Sequence, residues 1–125
     1  MAHSAGEADS LPAMSGEQRR QINLHADKFG AYDMEGPVQD DISWLSLSLD
    51  KQTGFGCYAM RMEPGAVTVA HDHVGWEEFL IVEGDLVDSD GTVFGPGDFV
   101  SYEPGTHHNS HTVGGCLIAV FERPA

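Results

Sequence analysis

The chain has 125 residues, and 20 acidic against 6 basic side chains give it a formal net charge of −14. One domain of this length buries roughly two thirds of the surface of its unfolded chain, which leaves room for one core and one site. The excess of carboxylates argues against DNA or RNA partners, whose phosphates it would repel, and no run approaches the ~18 apolar residues of a membrane-spanning helix.

The first 20 residues are rich in Ser, Ala, Gly and Glu and show no apolar periodicity, which predicts a disordered lead over residues 1–20. They also lack a basic stretch followed by an apolar run, so we expect no secretion signal and a cytoplasmic protein. Between Ile22 and Val38, scattered apolar residues are interrupted by glycines and a proline, which predicts a short strand or arm. The folded domain is therefore expected over residues 21–125.

From Asp41 onward, turn signals recur about every 8 to 12 residues, a rhythm typical of an all-β sandwich or barrel. No segment has a helical period, so almost no helix is expected. The strands are predicted over residues 43–49, 55–62, 66–73, 77–83, 85–88, 92–94, 98–102 and 116–121. Such spacing predicts a jelly roll, in which two antiparallel sheets curl around a pocket.

Seven large side chains are expected in the interior of this barrel: Tyr58, Met60, Met62, Trp76, Phe79, Phe99 and Phe121. The two cysteines, Cys57 and Cys116, lie far apart in apolar, strand-like segments. That placement predicts free thiols rather than a disulfide or a metal site.

Two histidines and a carboxylate, all potential metal ligands, fall within the short strand-turn-strand passage of residues 65–84. Because strand side chains alternate between faces, a regular strand would place Val67, Val69, His71 and His73 on one side. That side would run from packed core into a polar pocket. Neutral imidazoles and a carboxylate are the ligands expected for Fe, Mn, Ni, Cu or Zn.

The residue pattern by itself leaves the other ligands open. Glu77 and Glu78 cannot both face inward, and the turn before them breaks the alternation count. Downstream, three histidines follow a Pro-Gly turn that would bring their loop back over the first passage. His107 and His108 would point to opposite faces, whereas His111 could line the mouth of the pocket, bind a ligand carboxylate or be exposed.

The spacing of these residues resembles the first motif of the cupin superfamily, which the chain fits over residues 65–84 at Gly65, His71, His73, Glu77 and Gly84. The second motif, over residues 97–112, is looser, with Glu103 where Pro is usual and Thr112 where Asn is usual. The resemblance implies a cupin jelly roll (a double-stranded β-helix) that forms a homodimer. It also implies one divalent ion per chain, Fe, Zn, Mn or Ni, held by His71, His73, Glu77 and His108.

Within the superfamily, the chain is similar to the cupin domain of zinc-binding anti-sigma factors and to small cupin dioxygenases acting on diketones and hydroxyaryl ketones. This resemblance implies a metal-dependent, dioxygenase-like enzyme whose partner is a small oxygenated molecule. Two alternatives stay open: an isomerase or lyase acting on a sugar or acid without oxidation, and a Zn-binding sensor or regulatory module.

Three residues are candidates for a catalytic role. Glu77 belongs to the ligand set, and His111 could act as a base that moves a proton. Arg61 lies within a predicted strand and could anchor a substrate carboxylate or enolate if its side chain points inward. An outward orientation would instead give Arg61 an external ion pair.

Overall fold

Strands make up nearly all of the regular structure in this computed structural model, which describes residues 11–125. The strands are β1 Gly30–Ala31, β2 Ile42–Ser46, β3 Gly56–Met62, β4 His71–Asp72, β5 Trp76–Gly84, β6 Leu86–Asp88, β7 Val93–Phe94, β8 Phe99–Tyr102, β9 His107–His108, β10 Ser110–His111 and β11 Cys116–Arg123. Among the described residues the helical structure is one 3-10 turn, Gly16–Gln18, and no helix is long and apolar enough to span a membrane.

The strands assemble into three antiparallel sheets. The main sheet has six strands in the order β1-β2-β3-β11-β5-β8, a second has the order β10-β6-β7, and β4 pairs with β9. The last strand, β11, lies between β3 and β5, so distant parts of the sequence meet at the centre of the main sheet. This is the predicted all-β jelly roll, and it is confirmed.

Alternation along three central strands builds the core. In β11, Val120 stands opposite Tyr58 of β3 on one side and Phe79 of β5 on the other, so the three strands contribute one layer of side chains. Fully burying a side chain of this size stabilises the fold by about 1.5–3 kcal/mol. The buried cluster comprises Ile42, Trp44, Tyr58, Met60, Met62, Ala66, Phe79, Ile81, Leu86, Cys116, Ile118 and Val120.

Two residues expected in the interior lie outside it. Phe99 is 57% exposed and Phe121 38% exposed, because each has the parity of the outward face of its strand. Phe99 stands opposite Leu80, which also faces outward. Trp76 is only half-buried, and the guanidinium of Arg123 lies 4.5 Å from the centre of its ring.

The strand predicted over residues 66–73 is regular only at His71–Asp72, and the two valines before it lie outside the packed core in which they were expected. Val67 is 48% exposed and Val69 37% exposed. The main-chain N–H and the side-chain hydroxyl of Thr68 both donate to the carbonyl of Ser110, so a side chain takes part in the hydrogen bonding of this stretch. The alternation of side chains between the two faces is therefore not continuous from Val67 to His71.

The N-terminal arm, residues 22–38, forms only the short strand β1 and then crosses the barrel. Tyr32 stacks on Tyr58 with ring centres 6.1 Å apart and meets Trp44 edge-on at 6.2 Å. Of the predicted disordered lead, residues 1–10 lie outside the described residues, and residues 11–20 are exposed. The domain boundary at residue 21 stays a prediction.

Both cysteines are free; Cys116 is buried, as expected of both thiols, whereas Cys57 is only half-buried. They face opposite sides of the main sheet, since Cys116 belongs to the core cluster and Cys57 pairs with the outward Phe121.

Gly84 ends β5 in a left-handed conformation, φ 85°, at a close approach between chains. A Cβ there would lie 2.0 Å from the carbonyl oxygen of Gly115. Gly91 has a similar φ of 88° but open space around it. We expect Gly91→Ala to lower the free energy of unfolding by about 1 kcal/mol through backbone strain alone. Gly84→Ala adds a backbone clash and should cost about 3 kcal/mol.

Urea denaturation of the two variants measures this difference. Equal destabilisation of Gly84→Ala and Gly91→Ala would mean that the approach of Gly115 imposes no constraint on the end of β5.

Candidate metal centre

Four polar side chains converge at one end of the barrel. His71 and His108 stand opposite each other in the β4–β9 pair, His73 follows β4, and Glu77 lies on β5. The potential ligand atoms of the four lie within 4.8 Å of one another. The three imidazole ring centres form a nearly equilateral triangle with sides of 4.7, 4.9 and 5.0 Å.

Each imidazole presents Nε2 to the carboxylate of Glu77. The distance is 3.6 Å from His71 to Oε2, and 3.2 Å and 3.5 Å from His73 and His108 to Oε1. Glu77 faces inward with Phe79 and Ile81, because residues two apart along this part of β5 lie on the same face.

The other ring nitrogen, Nδ1, is occupied in all three histidines. It lies 2.8 Å from the Val69 carbonyl in His71, 2.7 Å from the Thr106 hydroxyl in His73, and 2.8 Å from Asp88 Oδ1 in His108. A carbonyl and a carboxylate only accept hydrogen bonds, so Nδ1 carries the hydrogen in His71 and His108.

The same tautomer holds for His73. The Thr106 hydroxyl donates its hydrogen to the carbonyl of Glu103, 2.8 Å away, and therefore accepts from His73 Nδ1. In the neutral form, all three rings thus aim an Nε2 lone pair at the same place. This orientation of histidines by bonded partners is typical of metal ligands.

Two of these lone pairs have no hydrogen-bond partner within the described part of the chain. The Nε2 atoms of His73 and His108 are buried and unpaired, and their side chains are only 2% and 7% exposed. An unsatisfied buried polar group costs about 1–3 kcal/mol. A lone pair facing a carboxylate oxygen needs a positive species between them, either a proton or a metal ion. The donor set therefore fits a divalent cation.

In the metal-free protein, protons bound to the imidazoles supply part of the positive charge that the Glu77 carboxylate requires. Burial alone would raise the pKa of Glu77, but the imidazoles of His108, His71 and His73 outweigh it and hold the pKa well below its usual range. The Glu77 carboxylate in turn raises the pKa of His71 to about 9, against the opposing effect of burial. Burial lowers the pKa of His108, yet Glu77 and Asp88 together raise it above its ordinary value.

A second carboxyl group lies beside Glu77, at Glu122. The two residues stand opposite each other in the β11–β5 pair. Burial, and then the neighbouring Glu77, raise the pKa of Glu122 to about 9, so this group is a neutral acid at pH 7. The sequence reasoning did not single it out. A signal was present, because Glu122 continues the inward parity of Ile118 and Val120.

Asp88 and Thr106 were also missed, although both position ligand histidines. Asp88 accepts from His108 and from the hydroxyl of Tyr102, which closes a hydrogen-bonded chain behind the cluster. Asp88 lies in the Asp-Ser-Asp-Gly turn region, whose acidic residues have an ordinary interpretation as turn formers. Their contact with the second histidine segment depends on the β10–β6 pairing, which one sequence does not specify.

The two rival candidates for the ligand positions, His107 and Glu78, lie away from the cluster. His107 is exposed and lies 2.7 Å from Asp72, on the opposite side of β9 from His108. Glu78 faces outward and contacts Arg123 and Ser101.

The structure likewise does not bring Arg61 or His111 to the four ligands. Arg61 lies on the outer face of β3, 3.9 Å from Glu83 and with its guanidinium 5.0 Å from the ring centre of Phe29. It has the external ion pair rather than the inward position. His111 is exposed on β10 and does not line the cavity beside the cluster.

An interior cavity of about 70 Å³ borders the cluster and opens to solvent. Its walls are mostly apolar, with Met60, Phe79 and Val120 among them, and His71, Glu77, His108 and Glu122 lie at its polar end. An outer cleft adjoins it, and Glu77 and Glu122 line both spaces. The donor atoms therefore face room for a small ligand rather than a closed shell of protein.

The family described as the ChrR cupin-like domain matches residues 33–125 of this chain. No curated protein matches the sequence significantly.

Three solved structures have the same fold at low sequence identity. The polyketide cyclase RemF from Streptomyces resistomycificus is 21% identical over 82% of this chain and 77% of its own, with a TM-score of 0.66. An acetylacetone dioxygenase from Acinetobacter johnsonii is 14% identical over 90% of this chain and 78% of its own, also with a TM-score of 0.66. The Rhodobacter sphaeroides complex of SigE with the anti-sigma ChrR gives 16% identity over 81% of this chain, with a TM-score of 0.61. There the match spans about half of the other chain, 51%.

We predict that His108→Ala lowers the affinity for Zn(II) or Co(II) at least ~100-fold, whereas His107→Ala leaves it unchanged. Removing a ligand costs more than removing the group that orients it, for which losses of about 10–100-fold are usual. The two histidines are neighbours, so the pair controls for local folding. Competition with a chelator of known affinity measures both. Loss of metal in His107→Ala with retention in His108→Ala would reverse the assignment.

We also predict that metal binding at pH 7 releases at least one proton, because His71 is protonated in the metal-free protein and must lose its proton to bind. Apparent affinity should then rise by about tenfold per pH unit from pH 7 towards 9. The metal-free protein should behave oppositely, because the raised pKa of His71 contributes stability below about pH 6.5 that is lost as the pH rises through about 9.

Calorimetric titration in buffers of different ionisation enthalpy counts the protons released. A buffer-independent enthalpy at pH 7 would contradict the account of His71.

Proposed function

The chain belongs to the ChrR cupin-like domain family, and from that premise we propose that it is a metal-dependent, dioxygenase-like enzyme acting on a small oxygenated compound such as a diketone or hydroxyketone. The observation that carries the proposal is the position of the donor cluster. Three imidazole Nε2 atoms and the Glu77 carboxylate meet beside a cavity whose walls are mostly apolar. A cluster with a purely structural role would have no need of this space.

In this proposal His71, His73, Glu77 and His108 hold one divalent ion. A bound, redox-active ion such as Fe(II) would supply chelation of two substrate oxygens and electron exchange with dioxygen. The four residues have matching chemistry, since neutral imidazole and carboxylate bind Fe, Mn, Ni and Zn alike.

The chain itself supplies orientation and a dry environment. The hydrogen bonds from Asp88, Thr106 and the Val69 carbonyl fix the three imidazoles before any ligand arrives. Apolar walls exclude water from the cavity, which strengthens every electrostatic interaction at its polar end. The fold of the acetylacetone dioxygenase from Acinetobacter johnsonii accords with the proposal, although 14% identity carries no substrate to this chain.

A second candidate is a non-oxidative reaction in which a proton moves. The specific observation in its favour is Glu122, a neutral carboxyl group at the edge of the cavity and next to Glu77. Such a group can give a proton to a substrate oxygen and take one back later. RemF, which has the same fold, is named a polyketide cyclase.

The homodimer and the cytoplasmic location remain part of the proposal. A regulatory role like that suggested by the name of the anti-sigma ChrR would use the same metal centre without turnover.

Oxygen uptake with different metals distinguishes these functions. We expect the Fe(II) protein to consume oxygen with pentane-2,4-dione or a hydroxyketone, and the Zn(II) protein to consume none, because Zn(II) has no redox chemistry. His107→Ala should retain the uptake and His108→Ala should lose it.

Product formation by the Zn(II) protein without oxygen, abolished in Glu122→Gln, would favour the proton-transfer reaction. Turnover with none of these metals is the result expected of a sensor.

A further inference from the structure

No lysine or arginine side chain of residues 11–125 lines the space beside the donor cluster. All six Lys and Arg residues lie within residues 11–125, and none of them lines the interior cavity or the outer cleft. Arg61 and Arg123 are paired with carboxylates on the outer face of the sheet, and Lys51 lies over the ring of Trp44. A ligand that carries a carboxylate tail would find no counter-ion among them.

One carboxylate does reach this space, at Glu35. It lines both the interior cavity and the outer cleft, and its charge acts on His71, Glu122 and Tyr32. No Lys, Arg or His forms an ion pair with Glu35 within residues 11–125.

The N-terminal arm holds Glu35 at this position. On one side of it, Tyr32 stacks on Tyr58. On the other side, the Gln39 amide donates to the carbonyl of Val67 at 3.0 Å. Gly36 packs so closely against the Val69 side chain that a Cβ there would lie 2.9 Å from Cγ2. Anchored before and after, the arm keeps the carboxylate beside the cavity.

We propose that Glu35 makes this pocket selective for ligands whose free end is a protonated amine over ligands whose free end is a carboxylate. The proposal rests on the proposed metal centre, because the unpaired Nε2 atoms of His73 and His108 mark where the chelating end of the ligand belongs. A ligand fixed there would present its other end to Glu35. Glu35 would attract a cationic end and repel an anionic one, and the ring of Tyr32, which lines the same two spaces, offers a further contact to a cation.

Three chelators of equal chain length test the proposal: butyrohydroxamate with a methyl end, β-alanine hydroxamate with an ammonium end, and succinic monohydroxamate with a carboxylate end. Their dissociation constants for the Zn(II)-loaded protein are measured by calorimetry. We expect the ammonium probe to bind about fivefold tighter than the carboxylate probe, a modest factor because Glu35 is solvent-exposed, with the methyl probe between them. The ratio should shrink as salt is added.

Glu35→Gln should bring the ratio of the ammonium and carboxylate probes close to one, and Glu35→Lys should reverse it. Asp33→Asn is the matched control, since Asp33 is an exposed carboxylate on the same arm that lines neither space, and it should keep the wild-type ratio. Zinc content, measured for each variant, should stay constant.

Equal binding of the ammonium and carboxylate probes by the wild type would overturn the proposal, as would an unchanged ratio in Glu35→Gln. If Asp33→Asn abolishes the preference for the ammonium probe as fully as Glu35→Gln does, the effect comes from the general charge of the arm. That result would overturn the role of Glu35. If oxygen uptake fails while the ratio and its dependence on Glu35 hold, the dioxygenase proposal fails and the charge selectivity stands.

Discussion

The arrangement on which the site depends is three imidazole lone pairs, those of His73 and His108 buried, aimed at one carboxylate. His73 and His108 place Nε2 at 3.2 Å and 3.5 Å from Glu77 Oε1, and neither ring has a hydrogen on that nitrogen in its neutral form. Lone pairs and a carboxylate repel each other unless a positive species lies between them. The raised pKa of His71 is the response of the metal-free protein, and a divalent ion would meet the same need without protonating a ligand.

The fold creates this arrangement from three strand pairings and the position of β5. The β4–β9 pair sets His71 against His108, and β5 brings Glu77 to the same end of the barrel. The β11–β5 register then adds Glu122 beside Glu77, and the β10–β6 pair brings Asp88 near the segment that carries His108. Because these contacts link distant parts of the chain, loss of the fold would disperse the whole site. The metal centre and the core are therefore expected to be stabilised together.

Sequence spacing predicted the parts of this account that follow local rules. The jelly roll follows from short strands and regular turns, whereas the set of four converging residues came from the resemblance to the two cupin motifs. The alternation of side chains did not bury Val67 and Val69 in the core, because the strand is not regular where Thr68 contacts Ser110. Glu35 and Asp88 could not be predicted, since their places depend on how the arm and β6 meet segments that are remote in sequence.

X-ray absorption spectroscopy of the Co(II)- or Zn(II)-loaded protein tests the central claim most directly. The account predicts one metal per chain with three imidazole nitrogens and at least one carboxylate oxygen at roughly 2.0–2.2 Å. In His108→Ala the imidazole signal should fall to two or the metal should be lost. Sulfur scattering from Cys57 or Cys116, or a wild-type spectrum with fewer than three imidazoles, would contradict the assignment of the cluster as the metal centre.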